Sequence, residues 1–218
     1  MKRYALRTLG LSLSLLLAAC SSQTTKPEQY SGFLKDYSQL QPATSASGVP
    51  VLRWVAPGLD LNNYPSVMVE KPVFFPKPQP SDQVSQKALD DIAVYLQQAM
   101  QRELAGRMQV VDQPNQDTLV LRTAITAVDV SAEGLKFYEV IPIALVAAAA
   151  STAIGTRDRD TDIYVEMEAL DARTSQPVAK IVRKGHGLDL ENKSTQLTVN
   201  DLKPALDSWA KDARTFKP

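Results

Sequence analysis

From residue 162 to residue 169 the chain alternates without a break. Ile163, Val165, Met167 and Ala169 are apolar, while Asp162, Tyr164, Glu166 and Glu168 carry polar groups. A period of two puts one set on each side of an extended backbone, so this segment reads as a half-buried antiparallel strand. After the turn Ala172-Arg173-Thr174-Ser175-Gln176, Val178 to Val182 is expected to pair back as a hairpin. That pairing would place Lys180, Arg183 and Lys184 within reach of the glutamates as cross-strand partners. The apolar side of such a sheet must be covered.

Two segments with helical periodicity can cover it. Leu89, Ile92, Ala93, Leu96, Ala99, Met100 and Leu104 recur at three- and four-residue steps, predicting a helix over 81–105. Ser81 is the expected cap, Asp82 complements the dipole, and Gly106 supplies a left-handed stop. A second helix opens at Asn200 and Asp201, tolerates Pro204 in its first turn, and buries Leu202, Ala205, Leu206, Trp209 and Ala213. Short strands are expected at 51–55, 67–70 running on to Phe75, 108–111 and 118–130. Pro72, Pro76, Pro78 and Pro80 lack ladder donors and force an edge or an extended connector. The fold class is therefore α+β: a mostly antiparallel sheet with two main helices on one face, plus an apolar Ala-rich insertion at 137–155.

The chain opens differently. Lys2, Arg3 and Arg7 precede an apolar run from Leu9 to Ala19, too short for the roughly 20 residues of a spanning helix. The run ends at Leu17-Ala18-Ala19-Cys20, with the single cysteine of the chain at the expected cut. This resembles the lipobox of bacterial lipoproteins, in which the cysteine is acylated. Residues 1–19 are thus read as a signal peptide, 20–30 as a lipidated N-terminus and tether, and 31–218 as a periplasmic domain. Several acyl chains at about 0.8 kcal/mol per buried methylene make a lasting anchor. Ser21, where the lipoprotein pattern would carry Asp for inner-membrane retention, points by resemblance to the outer membrane.

Three further stretches extend the likeness: Ser31-Gly-Phe-Leu-Lys-Asp-Tyr-Ser-Gln-Leu40, Tyr64-Pro-Ser-Val-Met-Val-Glu-Lys-Pro-Val73 and Val165-Glu-Met-Glu-Ala-Leu-Asp-Ala-Arg-Thr174. Together they resemble a family of Gram-negative lipoproteins known only as a domain of unknown function. The resemblance implies a periplasm-facing α+β domain on a lipid anchor and carries over no catalytic residue.

Losing Lys2, Arg3 and Arg7 with the signal turns the even balance of 24 basic and 24 acidic groups into an acidic excess. An acidic chain repels phosphate backbones, which excludes nucleic acid as a partner. One cysteine and one histidine exclude a Cys/His zinc site, and neither a glycine-rich phosphate loop nor a nucleophile elbow is present. Asp158, Asp160 and Asp162 alternate as in a calcium loop, but Ile163 and Ala169 stand where glycine and glutamate are required, leaving a solvated turn. Between Gly185 and Gly187, His186 reads as a strand-end residue. No cofactor or metal site is expected.

The segment Phe137 to Gly155 is the oddest. Its uncharged part, Ile143 to Ile154, would span about 18 Å as a helix, short of the roughly 30 Å hydrocarbon core. It is either a helix covering the sheet, a surface for self-association or an envelope protein, or a finger laid into the membrane. Ile143, Leu145, Val146 and Ile154 are the residues such a surface would use. The expectation is an outer-membrane lipoprotein acting by binding, as an envelope or assembly accessory. The alternative is an envelope hydrolase whose carboxylates converge only in the fold.

Overall fold

The computed structural model describes residues 24–132 and 159–218. The alternating segment lies in the strand β7 (Arg159–Asp171), which pairs antiparallel with β8 (Pro177–His186) and with β6 (Thr118–Ala132). The β7–β8 turn is held by the Asp171 carboxylate, which accepts from Thr174 N at 2.9 Å, and by Ser175 in the left-handed region at φ 57. Two shorter strands extend the sheet beyond β8: β2 (Pro50–Val55) and, outside it, β1 (Gln41–Thr44), both antiparallel.

On the other side the sheet changes character. The strands β3 (Ser66–Val69) and β4 (Val73–Phe74) pair parallel with β6, and β5 (Gln109–Val110) pairs parallel with β3. The result is an 8-stranded mixed sheet. The α+β class stands, with a parallel flank that the strand pattern did not foreshadow. Its cause is the helix α1 (Gln86–Leu104), which carries the chain from β3 back to β5 and so returns it in the same direction.

All seven residues of the expected apolar face of α1 are buried, and Leu89, Ile92 and Leu96 are wholly so. The start differs from expectation. Ser85, not Ser81, caps the helix, its Oγ accepting from Ala88 N at 3.1 Å. Ser81 caps only the preceding turn through Val84 N, also at 3.1 Å. Gly106 is likewise not a left-handed stop, since the helix ends at Ala105 in right-handed geometry. A Cβ at Gly106 would lie 3.3 Å from the Arg214 guanidinium, the end of a flexible and exposed side chain, so nothing in the structure requires glycine there.

The second helix, α2 (Val199–Thr215), begins one residue before Asn200, and the Asp201 carboxylate accepts from Thr198 N at 2.7 Å. Leu202, Ala205, Leu206 and Trp209 are buried as expected, and Ala213 is half-buried. The two helices pack on each other, α1 against β3 and β5, and α2 against β7 and β8. One apolar cluster joins both helices to Ile163, Val165 and Met167. Burial of each large apolar side chain there contributes about 1.5–3 kcal/mol.

The tightest helix–sheet contact passes over Gly185 of β8. A Cβ there would lie 2.6 Å from Trp209 Cζ2 and 2.8 Å from Ala205 Cβ. Gly185→Ala should therefore destabilise the domain by about 1–3 kcal/mol through overpacking, read as a lowered urea midpoint.

The expected solvated turn at 158–162 is corrected. Arg159 to Asp162 belong to β7, and Thr161 and Asp162 are buried because β6 and β8 flank them. The insertion at 137–155 and the tether up to residue 23 lie outside the described residues.

Candidate functional site

Glu166 sits in the middle of β7 at 1% exposure, a carboxylate with almost no access to water. It is satisfied by the segment Ser31 to Tyr37, which crosses the sheet above it. Glu166 Oε1 accepts from Ser31 N at 2.7 Å, and Oε2 accepts from the Tyr37 hydroxyl at 2.6 Å and from Leu34 N at 3.4 Å. The Tyr37 oxygen in turn accepts from Gly32 N at 2.7 Å. Gly32 at φ 92 and Lys35 at φ 62 bend the backbone so that its amides face one acid. Burial, then the hydrogen bond to Glu166, push the Tyr37 phenol well above its ordinary range, keeping it a donor. The stretch Ser31 to Leu40 is thus a clamp that docks the N-terminal segment onto the sheet.

Around the clamp the same face is charged. Arg122 reaches Glu168 at 2.9 Å and Glu70 at 3.5 Å while lying 5.4 Å from the Phe33 ring centroid. Lys180 stands opposite Glu168 in the hairpin, as its spacing predicted, but its Nζ donates to Asp36 O at 2.8 Å. Arg183 and Lys184 do not meet the glutamates. Lys184 turns to Asp162 at 2.6 Å, and Arg183 points to the helix side, where it pairs with Asp212 of α2 at 2.9 Å. The alternation that puts Lys180 and Glu168 on one face must put Arg183 on the other.

Asp162 also lies 2.6 Å from His186 Nδ1, at the end of β8 where the histidine was expected. Burial pushes the Asp162 carboxyl up, but hydrogen bonds from His186 and Lys184 outweigh it and hold the group below its ordinary value. A depressed folded-state pKa stabilises above the unfolded value of about 3.9, and that stability is lost as pH falls through the folded value. Asp162→Asn should therefore lower stability at neutral pH and flatten its decline on acidification, measured by urea unfolding from neutral pH down to about pH 3.

Between the sheet and the C-terminal ends of the two helices lies a cavity of about 530 Å³. Val51, Met100, Leu104, Leu121, Met167 and Trp209 line it, with Arg53, Arg183 and Asp212 among its polar groups. Phe216 closes one side, and the Arg53 guanidinium lies 5.5 Å from its ring centroid. Glu168 and Asp212 both border the cavity, yet each is bound to an arginine and they sit on opposite faces of the sheet. They do not form an acid–base pair. Among the described residues no group of three His, Cys, Asp or Glu side chains could hold a metal ion.

Cys20, Ile143, Leu145, Val146 and Ile154 lie outside the described residues, so the structure places none of them. The cavity carries no motif, and although Ser31 to Leu40 was singled out as a family stretch, sequence reasoning missed both the cavity and the docking of that stretch onto Glu166. One signal for the cavity existed. Asp212 falls on the apolar stripe of α2, and Arg183 falls on the side of β8 that carries Ile181. Two misfits of opposite sign on facing elements indicate a buried pair.

The family model described as "Protein of unknown function (DUF3313)" matches residues 29–213, which takes in the clamp, both helices' apolar faces and the cavity lining up to Ala213. The chain belongs to this family. It is 46% identical over 202 residues to the uncharacterized lipoprotein YdcL of Escherichia coli K12, covering 93% of this chain and 91% of that one. The YdcL of Escherichia coli O157:H7 matches with the same figures. Membership confirms the resemblance drawn from the motifs, and kinship with a lipoprotein implies membrane anchoring. Among solved structures, the PelC dodecamer from Paraburkholderia phytofirmans aligns at a TM-score of 0.39 and 10% identity, over 74% of this chain and 96% of that one. That distance gives it no bearing on function.

Proposed function

We propose that this DUF3313 protein is an outer-membrane lipoprotein, anchored through Cys20 and facing the periplasm, whose domain binds an apolar or amphipathic molecule in the helix-end cavity as an accessory of the cell envelope. The observation that carries this reading is the cavity itself. Its volume of about 530 Å³ lies within the range of small-molecule sites, and it combines an apolar lining with a few charged groups. The clamp has no such room, because its donors are already engaged by Glu166.

Native mass spectrometry of protein extracted from the envelope tests the reading. A non-covalent adduct is expected on the wild-type chain. It should be absent from Ala213→Phe, where an aromatic ring enters the cavity from the half-buried side of α2. An adduct that persists in Ala213→Phe would move the ligand elsewhere. For the anchor, Cys20→Ala should abolish acylation of the chain and its recovery as mature lipoprotein in the dense outer-membrane fraction. Unchanged fractionation and mass would refute lipidation at that residue.

A further inference from the structure

Two arginines on neighbouring strands line the cavity, Arg53 over the Phe216 ring and Arg183 over the Trp209 ring. Arg53 of β2 stands opposite Ile181 of β8, so Arg183, two residues further along β8, is its diagonal neighbour on the same face. Such neighbours are about 7–8 Å apart, within reach of one shared anion for side chains of this length. Arg183 is 2% exposed and gives one end of its guanidinium to Asp212, but its Nε, also buried, has no hydrogen-bond acceptor among the described residues. Arg53 pairs with no carboxylate among the described residues and rests on Phe216. A buried donor without an acceptor beside an unpaired cation is an unfinished anion site.

The helix C-termini nearby would oppose an anion through their exposed carbonyls. At the end of α2 Arg107 already covers two of them, donating to Arg214 O at 3.0 Å and Phe216 O at 2.6 Å. The repulsion is thereby blunted where the chain closes over the cavity. Charged groups border the cavity at Glu168 and Lys180 as well, but Met100, Leu104, Leu121 and Met167 form an apolar part of its lining that suits a flexible hydrocarbon.

We propose that the cavity holds a single-chain anionic amphiphile, its head between Arg53 and Arg183 and its tail among Met100, Leu104, Leu121 and Met167. This rests on the reading of the cavity as the binding site and adds the chemistry of its ligand. A carboxylate and a phosphate monoester share the required charge and acceptors.

The chain has two tryptophans, Trp54 and Trp209, and only Trp209 lines the cavity. In a Trp54→Phe background its fluorescence therefore reports the cavity alone. The lipidated full chain, held in phosphatidylcholine nanodiscs, is titrated with terminally brominated undecanoate, the matching undecyl phosphate and the matching undecanol. Both anions should quench Trp209 saturably and be displaced by unbrominated decanoate, about tenfold more tightly than the alcohol. Arg53→Gln should erase that preference and Arg53→Lys should retain most of it. Preference for only one anion would identify the head as a fatty acid or a phosphate lipid within the same proposal. Equal binding of anions and alcohol, or a preference that survives Arg53→Gln, overturns the head-group assignment and leaves the cavity reading intact. Absence of saturable quenching by all three overturns both.

Discussion

Glu166→Ala is expected to destabilise the domain by about 3 kcal/mol and to release the N-terminal clamp. Glu166 accepts from two backbone amides and one phenol. Hydrogen bonds to an ionised group contribute about 1.5–3 kcal/mol each when buried. Water can reach the partly exposed donors once the acid is gone, so the loss falls short of the sum. Against a total stability of about 5–15 kcal/mol the effect remains large. Glu166→Gln keeps one acceptor oxygen and should cost roughly half as much. A second readout separates the clamp from the core: trypsin should cut after Lys35 faster in Glu166→Ala, while sites in the helices keep their protection under native conditions. Equal protection at Lys35 in both proteins would contradict the clamp.

The second large effect is expected at Asp212. Its carboxylate pairs with Arg183 at 2.9 Å and accepts from Ser47 N at 2.7 Å and Ser47 Oγ at 2.9 Å. One acid thus ties α2 to β8 and to the β1–β2 turn. Asp212→Ala leaves the Arg183 charge buried without its carboxylate, which typically costs about 3–5 kcal/mol. Burial alone pulls the Arg183 guanidinium below its ordinary range, with Asp212 acting against that pull. Replacing both partners with apolar residues, Arg183→Met with Asp212→Leu, removes the orphaned charge and should recover most of the loss. Urea unfolding of the two single variants and the double variant completes the cycle. A double variant no more stable than Asp212→Ala would show that the pair is not the source of the cost.

How far the sequence foretold this structure depends on the range of each signal. The alternation from Asp162 to Ala169 and the stripes ending at Leu104 and Trp209 depend on local period alone, and both were legible. The start of α1 was misplaced by four residues because Ser81 and Ser85 are both able to cap an amide, and only the fold decides which turn continues as helix. The parallel pairing of Val67 with Leu119 and Val110 leaves no mark on any of the three segments, since it is set by how α1 returns the chain.

The same division runs through the sites. Glu166 and Glu168 were correctly assigned to the polar side of β7, but that side is not solvent. The clamp reaches it from Ser31, 135 residues away in sequence, and no local pattern encodes the crossing. The motif Ser31 to Leu40 was recognisable as the mark of the family, yet its chemistry is structural. The cavity is a gap between helix ends and a sheet, so it belongs to no segment.

If binding resides at the helix-end cavity and the segment Ser31 to Leu40 serves the fold, a ligand should protect the first and leave the second unchanged. Hydrogen–deuterium exchange on the lipidated full chain, with and without saturating undecanoate, tests this directly. Exchange should slow in 100–108 and 213–217, with Ser31 to Tyr37 unchanged. Slowing confined to Ser31 to Tyr37, or none anywhere, would contradict binding at the cavity.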